Sequence, residues 1–330
     1  MVTGPGRVAV VGLGLIGGSL ARLLHRRGVD VVATDVVPAS REAARRAGLV
    51  VADDVTGCVT AADLVVLAVP LRVMGVVAEQ VAGAAPAHAT VTDVGSVKGP
   101  VRDAVRAAGL GDRFVGAHPM SGTERSGFDA SSDDLLDGVA WAMTVDDPTT
   151  TDRDRLLAVL ALVTGVLRGR VTVVTDDVHD EAAALVSHVP HVLATQLLNT
   201  VAGAPVRHVA LRLAAGSFRD GTRVAFSDPA RTEAMVAQNA GWVAPALRKV
   251  VRDLELLVEA LETNGGTHGF FHGADDLRAA GRPGAAHRED GRERLGTAGE
   301  WPAALVERCT AGAVVVGVDE GALELEAPTP

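Results

Sequence analysis

A glycine run, GLGLIGGSL at positions 12 to 20, follows directly on the short apolar segment Arg7 to Val11. Gly12, Gly14 and Gly17 fall in GxGxxG spacing. A strand must therefore end, turn tightly and enter a helix through positions that carry no side chains. In such a turn the first glycine permits the bend, the second lets the backbone approach a pyrophosphate, and the third lets helix pack on strand. Ser19 to His25 continues as a helix with Leu20, Leu23 and Leu24 on one face. Its N-terminus offers unpaired backbone amides to a diphosphate. Gly12, Gly14, Leu15, Ile16 and Gly17 are accordingly the candidate cofactor-binding residues. A second apolar run, Val29 to Ala33, ends at Thr34 and Asp35. A carboxylate at Asp35 can accept hydrogen bonds from both adenosine ribose hydroxyls and repels a 2′-phosphate. No arginine stands at position 36 or 37 to neutralise it, so NAD is expected over NADP. The competing reading of Asp35 is a cap on the strand-to-helix turn.

Further buried-strand candidates are Leu64 to Val69, Thr90 to Thr92, Val115 to Ala117, Val139 to Val145 and Val171 to Val174, separated by helical or loop segments. That alternation predicts an α/β Rossmann-type fold, a doubly wound and mostly parallel sheet, over residues 1–175. After Thr175 the apolar period becomes helical through Ala182 to Val201, Val206 to Ala215, Thr232 to Ala240 and Ala244 to Leu261. An all-helical substrate and dimerisation domain is expected over 176–280, its first helix capped by Thr175 or Asp176. The several apolar faces of so short a domain are hard to bury within one chain, which predicts a homodimer. Residues 281–330 read as a polar tail. Its first part, 281–300, has the composition of a mobile linker, and one strand-like run follows at Ala313 to Val318.

The formal net charge of −10 argues against a nucleic-acid surface, which needs clustered Lys and Arg. The two cysteines, Cys58 and Cys309, have neither disulfide-framework nor metal-ligand spacing. No metal is expected. With no export signal and no apolar stretch of membrane-spanning length, the expectation is a soluble, cytoplasmic protein without membrane or nucleic-acid partners.

Asp93 to Lys98, DVGSVK, follows a strand candidate, and so does His118 at the head of HPMSGTERSG. Open α/β sheets bind ligands at the carboxyl ends of their strands. Ser96 and His118, on adjacent strand ends, could hydrogen-bond, giving an imidazole oriented by a hydroxyl and able to act as a general base near neutral pH. Each residue also has a plainer reading, a structural histidine and a turn serine.

GLGLIGGSLA, DVGSVK, HPMSGTERSG, SHVPH and FRDGTRVAFSDP occur in the order and approximate spacing of the prephenate/arogenate dehydrogenase family. The chain resembles that family from residue 7 to about 280. The resemblance implies NAD-dependent oxidative decarboxylation of prephenate to 4-hydroxyphenylpyruvate, in tyrosine biosynthesis. His118 would deprotonate the ring C4 hydroxyl, Ser96 would hold His118, and Glu124 would belong to the polar network of the site. It also implies that Ser187 and His191 approach the substrate side chain, that Arg223 holds a substrate carboxylate, that Gly216 and Ser227 border the pocket, and that Asn239 matches a recurring family residue. A planar guanidinium suits bidentate carboxylate recognition, and Pro190 inside a helical stretch predicts a kink beside His188 and His191. Arg219 and Asp220 read as a structural pair.

Two departures stand out. Many relatives carry Trp where this chain has Thr232, which leaves arogenate or an amino-substituted analogue open as substrate. Some relatives append an amino-acid-binding ACT domain, and 281–330 looks too short and polar for a complete one. Rival readings are a 3-hydroxyacid dehydrogenase, disfavoured because Lys249 is the sole lysine past residue 98, and a noncatalytic NAD-binding sensor.

Overall fold

The computed structural model describes residues 6–123, 125–280 and 291–327. Residues 6–174 wind through successive β-α-β units. Strands β1 (Arg7–Val11), β2 (Asp30–Thr34), β3 (Val50–Val51), β4 (Leu64–Leu67), β5 (Thr90–Asp93), β6 (Phe114–Pro119), β7 (Ala140–Thr144) and β8 (Arg170–Val174) are joined through helices on both faces. Those helices are α1 (Leu15–Arg26), α2 (Pro38–Arg46), α3 (Val55–Val59), α4 (Leu71–Ala84), α5 (Gly99–Ala107) and α6 (Arg153–Ala161). β1 pairs in parallel with both β2 and β4. The chain thus reverses its direction of winding at the carboxyl ends of β1 and β4, where such sheets leave a crevice. The one break in the parallel order among these strands is β7, antiparallel to β6.

Sequence dictates this layering directly. β4, LVVL, is buried throughout, as a strand covered by helices on both faces must be. One core lies under α1 and α6, built from Val8, Val10, Leu20, Leu23, Leu64, Trp141 and Leu160. A second lies under α3 to α5, built from Ala9, Val65, Met74, Val81 and Val105.

Beyond Thr175 the chain is helical through α7 (Asp176–Ala183), α8 (Val189–Ala202), α9 (Arg207–Leu213), α10 (Gly216–Thr222), α11 (Pro229–Gln238), α12 (Ala240–Glu262), α13 (His268–His272) and α14 (Asp275–Ala280). Thr175 caps α7, its hydroxyl accepting from the Val178 amide. Between α7 and α8 runs one π-helical turn, Ala184–His188. Pro190 is the second residue of α8, and the chain runs into it from the π turn with helical dihedrals at His188 and Val189, so it lies within one continuous helical run. The π turn is the irregularity found where a kink is expected. The helical region buries little within the chain, with Ala184, Val189 and Val243 as its buried apolar cluster.

The tail corrects the reading of a polar appendage. Residues 281–290 of the expected linker lie outside the described residues, but Arg292–Gly296 form strand β9. α15 (Trp301–Thr310), β10 (Val314–Asp319) and β11 (Ala322–Glu326) follow, so the single expected strand is one of three. The order across the sheet is β3-β2-β1-β4-β5-β6-β7-β8-β10-β11-β9, with β10 antiparallel to β8. Trp301, Leu305, Cys309, Val315, Leu323 and Leu325 enter the same core as Val171 and Val173 of β8. Composition explains the misreading: RERLG begins with three charged residues and none of the five is buried, while in ALELE two glutamates alternate with buried leucines and lower the mean hydropathy of a strand with one buried face.

Candidate active site

The glycine turn is built as its spacing requires. Gly12 has φ +108°, and a Cβ there would lie 2.3 Å from the Ala68 carbonyl oxygen. A Cβ on Gly17 would stand 2.0 Å from the Gly12 carbonyl oxygen and 2.7 Å from Ala68 Cβ, so α1 rests directly on the turn and on the end of β4. Gly14 faces open space, with nothing within 4 Å of where its Cβ would be. The first turn of α1, containing Leu15 and Ile16, carries no acidic side chain and no side-chain cap. That cradle fits a dinucleotide diphosphate. Asp35 accepts from the Leu13 amide at 2.6 Å through Oδ2 and from the Val37 amide at 2.8 Å through Oδ1. Arg41 donates to its carbonyl oxygen at 2.6 Å. Asp35 is not a helix cap, since Val37 stands at the N-cap of α2 and no side chain caps that helix; its bonds instead fix its carboxylate after β2 beside the glycine turn.

His118 stands near the end of β6, opposite Ala142 of β7. The structure corrects the identity of its partner. Among the described residues no hydrogen bond joins Ser96 to His118; instead His118 Nδ1 lies 3.0 Å from His179 Nε2. His179 Nδ1 lies 2.8 Å from Asp180 Oδ1. Asp180 in turn accepts the Lys98 amide at 2.7 Å and the Gly99 amide at 2.9 Å. Burial alone would raise the Asp180 carboxyl, but the His179 bond and the two amides outweigh it and hold it below the ordinary value.

An ionised Asp180 accepts only, so it orders the protons along the chain. His179 donates from Nδ1 and presents Nε2 as an acceptor, and His118 donates from Nδ1 to it. His118 Nε2 is left as a bare lone pair. Burial, followed by His179, Lys98 and His188, holds the His118 imidazole well below its usual value, so the ring is neutral near neutral pH and its lone pair is unprotonated.

His179 and Asp180 are the functional candidates that sequence reading missed. Asp176, His179 and Asp180 lie at i, i+3 and i+4, on one face of α7, and all three are buried. Titratable residues at that period next to a domain boundary were the available signal.

The SHVPH segment divides. His188 is fully buried; its Nδ1 meets Asn239 Nδ2 at 3.0 Å, and Asn239 also donates to the Asp180 carbonyl oxygen at 2.8 Å. Burial is the main cause that lowers His188 to about 4. Its Nε2 is buried with no partner. His191 is half-buried, its Nδ1 2.8 Å from the Ser187 carbonyl oxygen. Asn239, at the α11–α12 junction, therefore ties the helical region to the His179–Asp180 pair.

Arg223 follows α10, exposed and without an ion-pair partner among the described residues. Gly216 begins α10, and Ser227 is buried just before α11. Arg219 and Asp220 form no ion pair among the described residues, contrary to expectation. Glu124 lies outside the described residues. Arg231 of α11 donates to the Thr123 carbonyl oxygen at 3.1 Å, joining the helical region to the HPMSGTERSG segment.

A parallel Rossmann sheet with this glycine turn and an oriented imidazole at a strand end defines an NAD-dependent dehydrogenase. The chain belongs to the prephenate dehydrogenase family: residues 20–185 match the model for the prephenate dehydrogenase nucleotide-binding domain, and 175–273 that for the dimerization domain. A cyclohexadienyl dehydrogenase of Zymomonas mobilis is 35% identical over 82% of this chain and 94% of its own. The structure of A. aeolicus prephenate dehydrogenase in complex with hydroxyphenyl propionate and NAD+ superposes with TM-score 0.74 at 30% identity, covering 85% of this chain and 99% of that one. Synechocystis arogenate dehydrogenase gives TM-score 0.71 at 27% identity over 83% of this chain and 99% of that one. Among the described residues no group suited to a metal ion is found, and no helix is long and apolar enough to cross a membrane.

Proposed function

We propose that the protein oxidatively decarboxylates prephenate to 4-hydroxyphenylpyruvate, with His118 as the base. The observation that carries this reading is the Asp180–His179–His118 series, which leaves a neutral imidazole with Nε2 as its acceptor. His118 takes the proton from the ring C4 hydroxyl as hydride leaves that carbon. Loss of the para carboxylate as CO2 then restores aromaticity, so the protein has mainly to position and deprotonate. Bound NAD supplies the hydride acceptor. Gly12, Gly14, Leu15, Ile16 and Gly17 hold its diphosphate, and Asp35 takes the adenosine ribose while repelling a 2′-phosphate. Ser96, at the carboxyl end of β5, is assigned to the substrate hydroxyl beside His118.

Arg223 is assigned to a substrate carboxylate. Its exposure and lack of an ion-pair partner leave the guanidinium free for bidentate binding, which an anionic substrate of an acidic protein needs. Ser187, His191, Gly216, Ser227 and Glu124 complete the proposed pocket. The protein is assigned as a cytoplasmic homodimer. Support comes from the dimerization-domain match and from exposed Leu193, Leu197, Leu254 and Leu261 on α8 and α12.

Arogenate is the second reading. It is favoured by Thr232, where many relatives carry Trp, and by the likeness to the Synechocystis enzyme. Initial rates with prephenate, arogenate and 4-amino-4-deoxyprephenate, each with NAD and with NADP, decide it. The highest kcat/KM is expected for prephenate with NAD. A higher value for another substrate overturns the substrate assignment, and a preference for NADP overturns the role of Asp35.

A further inference from the structure

Directly behind His118 the strand ladder stops early. β5 and β6 pair at Val91 with Phe114 and at Thr92 with Val115, and go no further. The next peptide groups of β6 that face β5 belong to Ala117, the residue before His118. Side chains take over there. The Ala117 amide donates to Asp93 Oδ1 at 3.1 Å, and its carbonyl oxygen accepts from Lys98 Nζ at 2.8 Å. Asp93 and Lys98 are themselves joined in an ion pair, 0% and 1% exposed at their side chains. The Gly95 amide adds a further bond to Asp93 Oδ2 at 2.7 Å. A Cβ on Gly116 would lie 2.3 Å from Thr144 Oγ1 and in ordinary contact, 3.4 Å, with Lys98 Cδ, so the lysine stem packs directly over this position.

Stability does not account for this pair. Removing two charges from water costs several kcal/mol per ion, and packed apolar residues in place of a buried ion pair are often neutral or stabilising. What apolar side chains cannot do is bond the two peptide groups that flank Ala117, one through its N–H and the next through its C=O. Nor can they place a fixed cation behind an imidazole.

We propose that Lys98, paired with Asp93, is a positioning residue for His118: it fixes the Ala117 peptide from one side and, through its own backbone amide, the Asp180 carboxylate that orients His179 from the other. The two routes meet at the same imidazole. Lys98 is therefore where the DVGSVK segment and the His179–Asp180 pair are tied together, and its charge opposes a proton on His118. This inference rests on the reading of His118 as the base.

The charged and titratable groups around the pair are few. His118 faces His179 of α7, His188 of the π turn and Lys98 after β5, while Asp180 reaches it through His179 and Asp93 through the Ala117 amide. Lys98 faces Asp93, Asp180 and Asp176, the last of which also meets Arg102 of α5 and Asp146 after β7. Among these, Lys98 is the cation acting on His118 from the β5 side, and it contributes to keeping that ring neutral.

The test is the titration of the His118 ring nitrogens by NMR in the full-length, NAD-bound protein, comparing wild type with Lys98→Met, Lys98→Gln and Lys98→Arg. Loss of the charge is expected to raise the His118 midpoint by about one unit or more. The acid limb of kcat should move with it, a loss of about tenfold per unit below the midpoint, while KM falls or rises no more than about twofold. Lys98→Arg keeps the charge and should leave the midpoint in place. Lys98→Gln, which can still donate to Asp93 and Ala117, serves if Lys98→Met does not fold. An unmoved midpoint in either folded neutral variant overturns the proposal. If neither folds alone, the double variant Lys98→Met with Asp93→Asn, which leaves no unpaired buried charge, is read by the same criterion, a raised midpoint supporting the proposal and an unmoved one overturning it. Because the titration needs no substrate, inactivity of the wild type toward prephenate would overturn the substrate assignment alone.

Discussion

At His118 constraints from two distant stretches of chain converge, the strand that carries it and helix α7. The β6–β7 ladder sets its backbone, His179 sets its ring, and Asp180 sets the proton order of both. Replacing His118 by Asn removes the basic nitrogen and keeps a similar volume. The expected loss in kcat is about 10²- to 10⁴-fold, with NAD affinity unchanged by fluorescence titration, because the glycine cradle is untouched. A variant retaining wild-type turnover would show the base to be elsewhere. His118 itself could be picked out from its place after a short strand. Its partner could not, because Ser96 is near in strand order and His179 is 61 residues away. Hydrogen bonds between side chains depend on how α7 packs against β5 and β6, and spacing along the chain carries no record of that.

Strand and helix assignments follow the apolar period closely where one face or both are buried. β1, α1, β2 and β4 lie where the pattern puts them, since a glycine turn and continuous Val and Leu runs leave the backbone few alternatives. Gly17→Ala tests this. Its methyl would meet a carbonyl oxygen and Ala68 Cβ, so α1 must move off the strand. A destabilisation of about 1–3 kcal/mol in urea melts is expected, together with at least a tenfold weaker NAD Kd. Normal NAD binding would mean that α1 shifts without disturbing the cradle. The tail strands escaped notice for the opposite reason: β9 opens on three charged residues, and in β11 glutamates alternate with leucines, so that a polar average hides its buried face.

For the whole molecule, the tail is part of the first domain's core. Leu305, fully buried against that core, should cost about 2–5 kcal/mol on replacement by Ala. Urea denaturation checks this, and a change within about 0.5 kcal/mol would mean that the tail packs only loosely on β8. Stability should also fall in acid. His188 is held at about 4 in the folded protein, against about 6.5 in an unfolded chain. Above pH 6.5 the ring is neutral in both states and contributes no pH dependence. As pH falls toward 4 the unfolded chain takes up the proton first, and His118 acts in the same sense. Asp176, raised mainly by burial, offsets part of the loss. For His188 alone the loss is on the order of 3 kcal/mol, read as a declining urea midpoint between pH 7 and 4.5. A flat midpoint, or His188→Asn with an unchanged slope, would remove His188 as its source.

The cofactor class, the parallel sheet, the switch to helices after Thr175 and the place of His118 near a strand end were written in local pattern, because turns, periods and strand ends are decided by neighbours in sequence. Folding in three dimensions decided the rest: that His118 is oriented by His179 and Asp180, that Asp93 and Lys98 finish a ladder that β5 leaves incomplete, and that the tail closes one side of the sheet. Each of these joins residues far apart in the chain. Such contacts are selected by how well whole elements bury and satisfy one another, which no short window of residues contains.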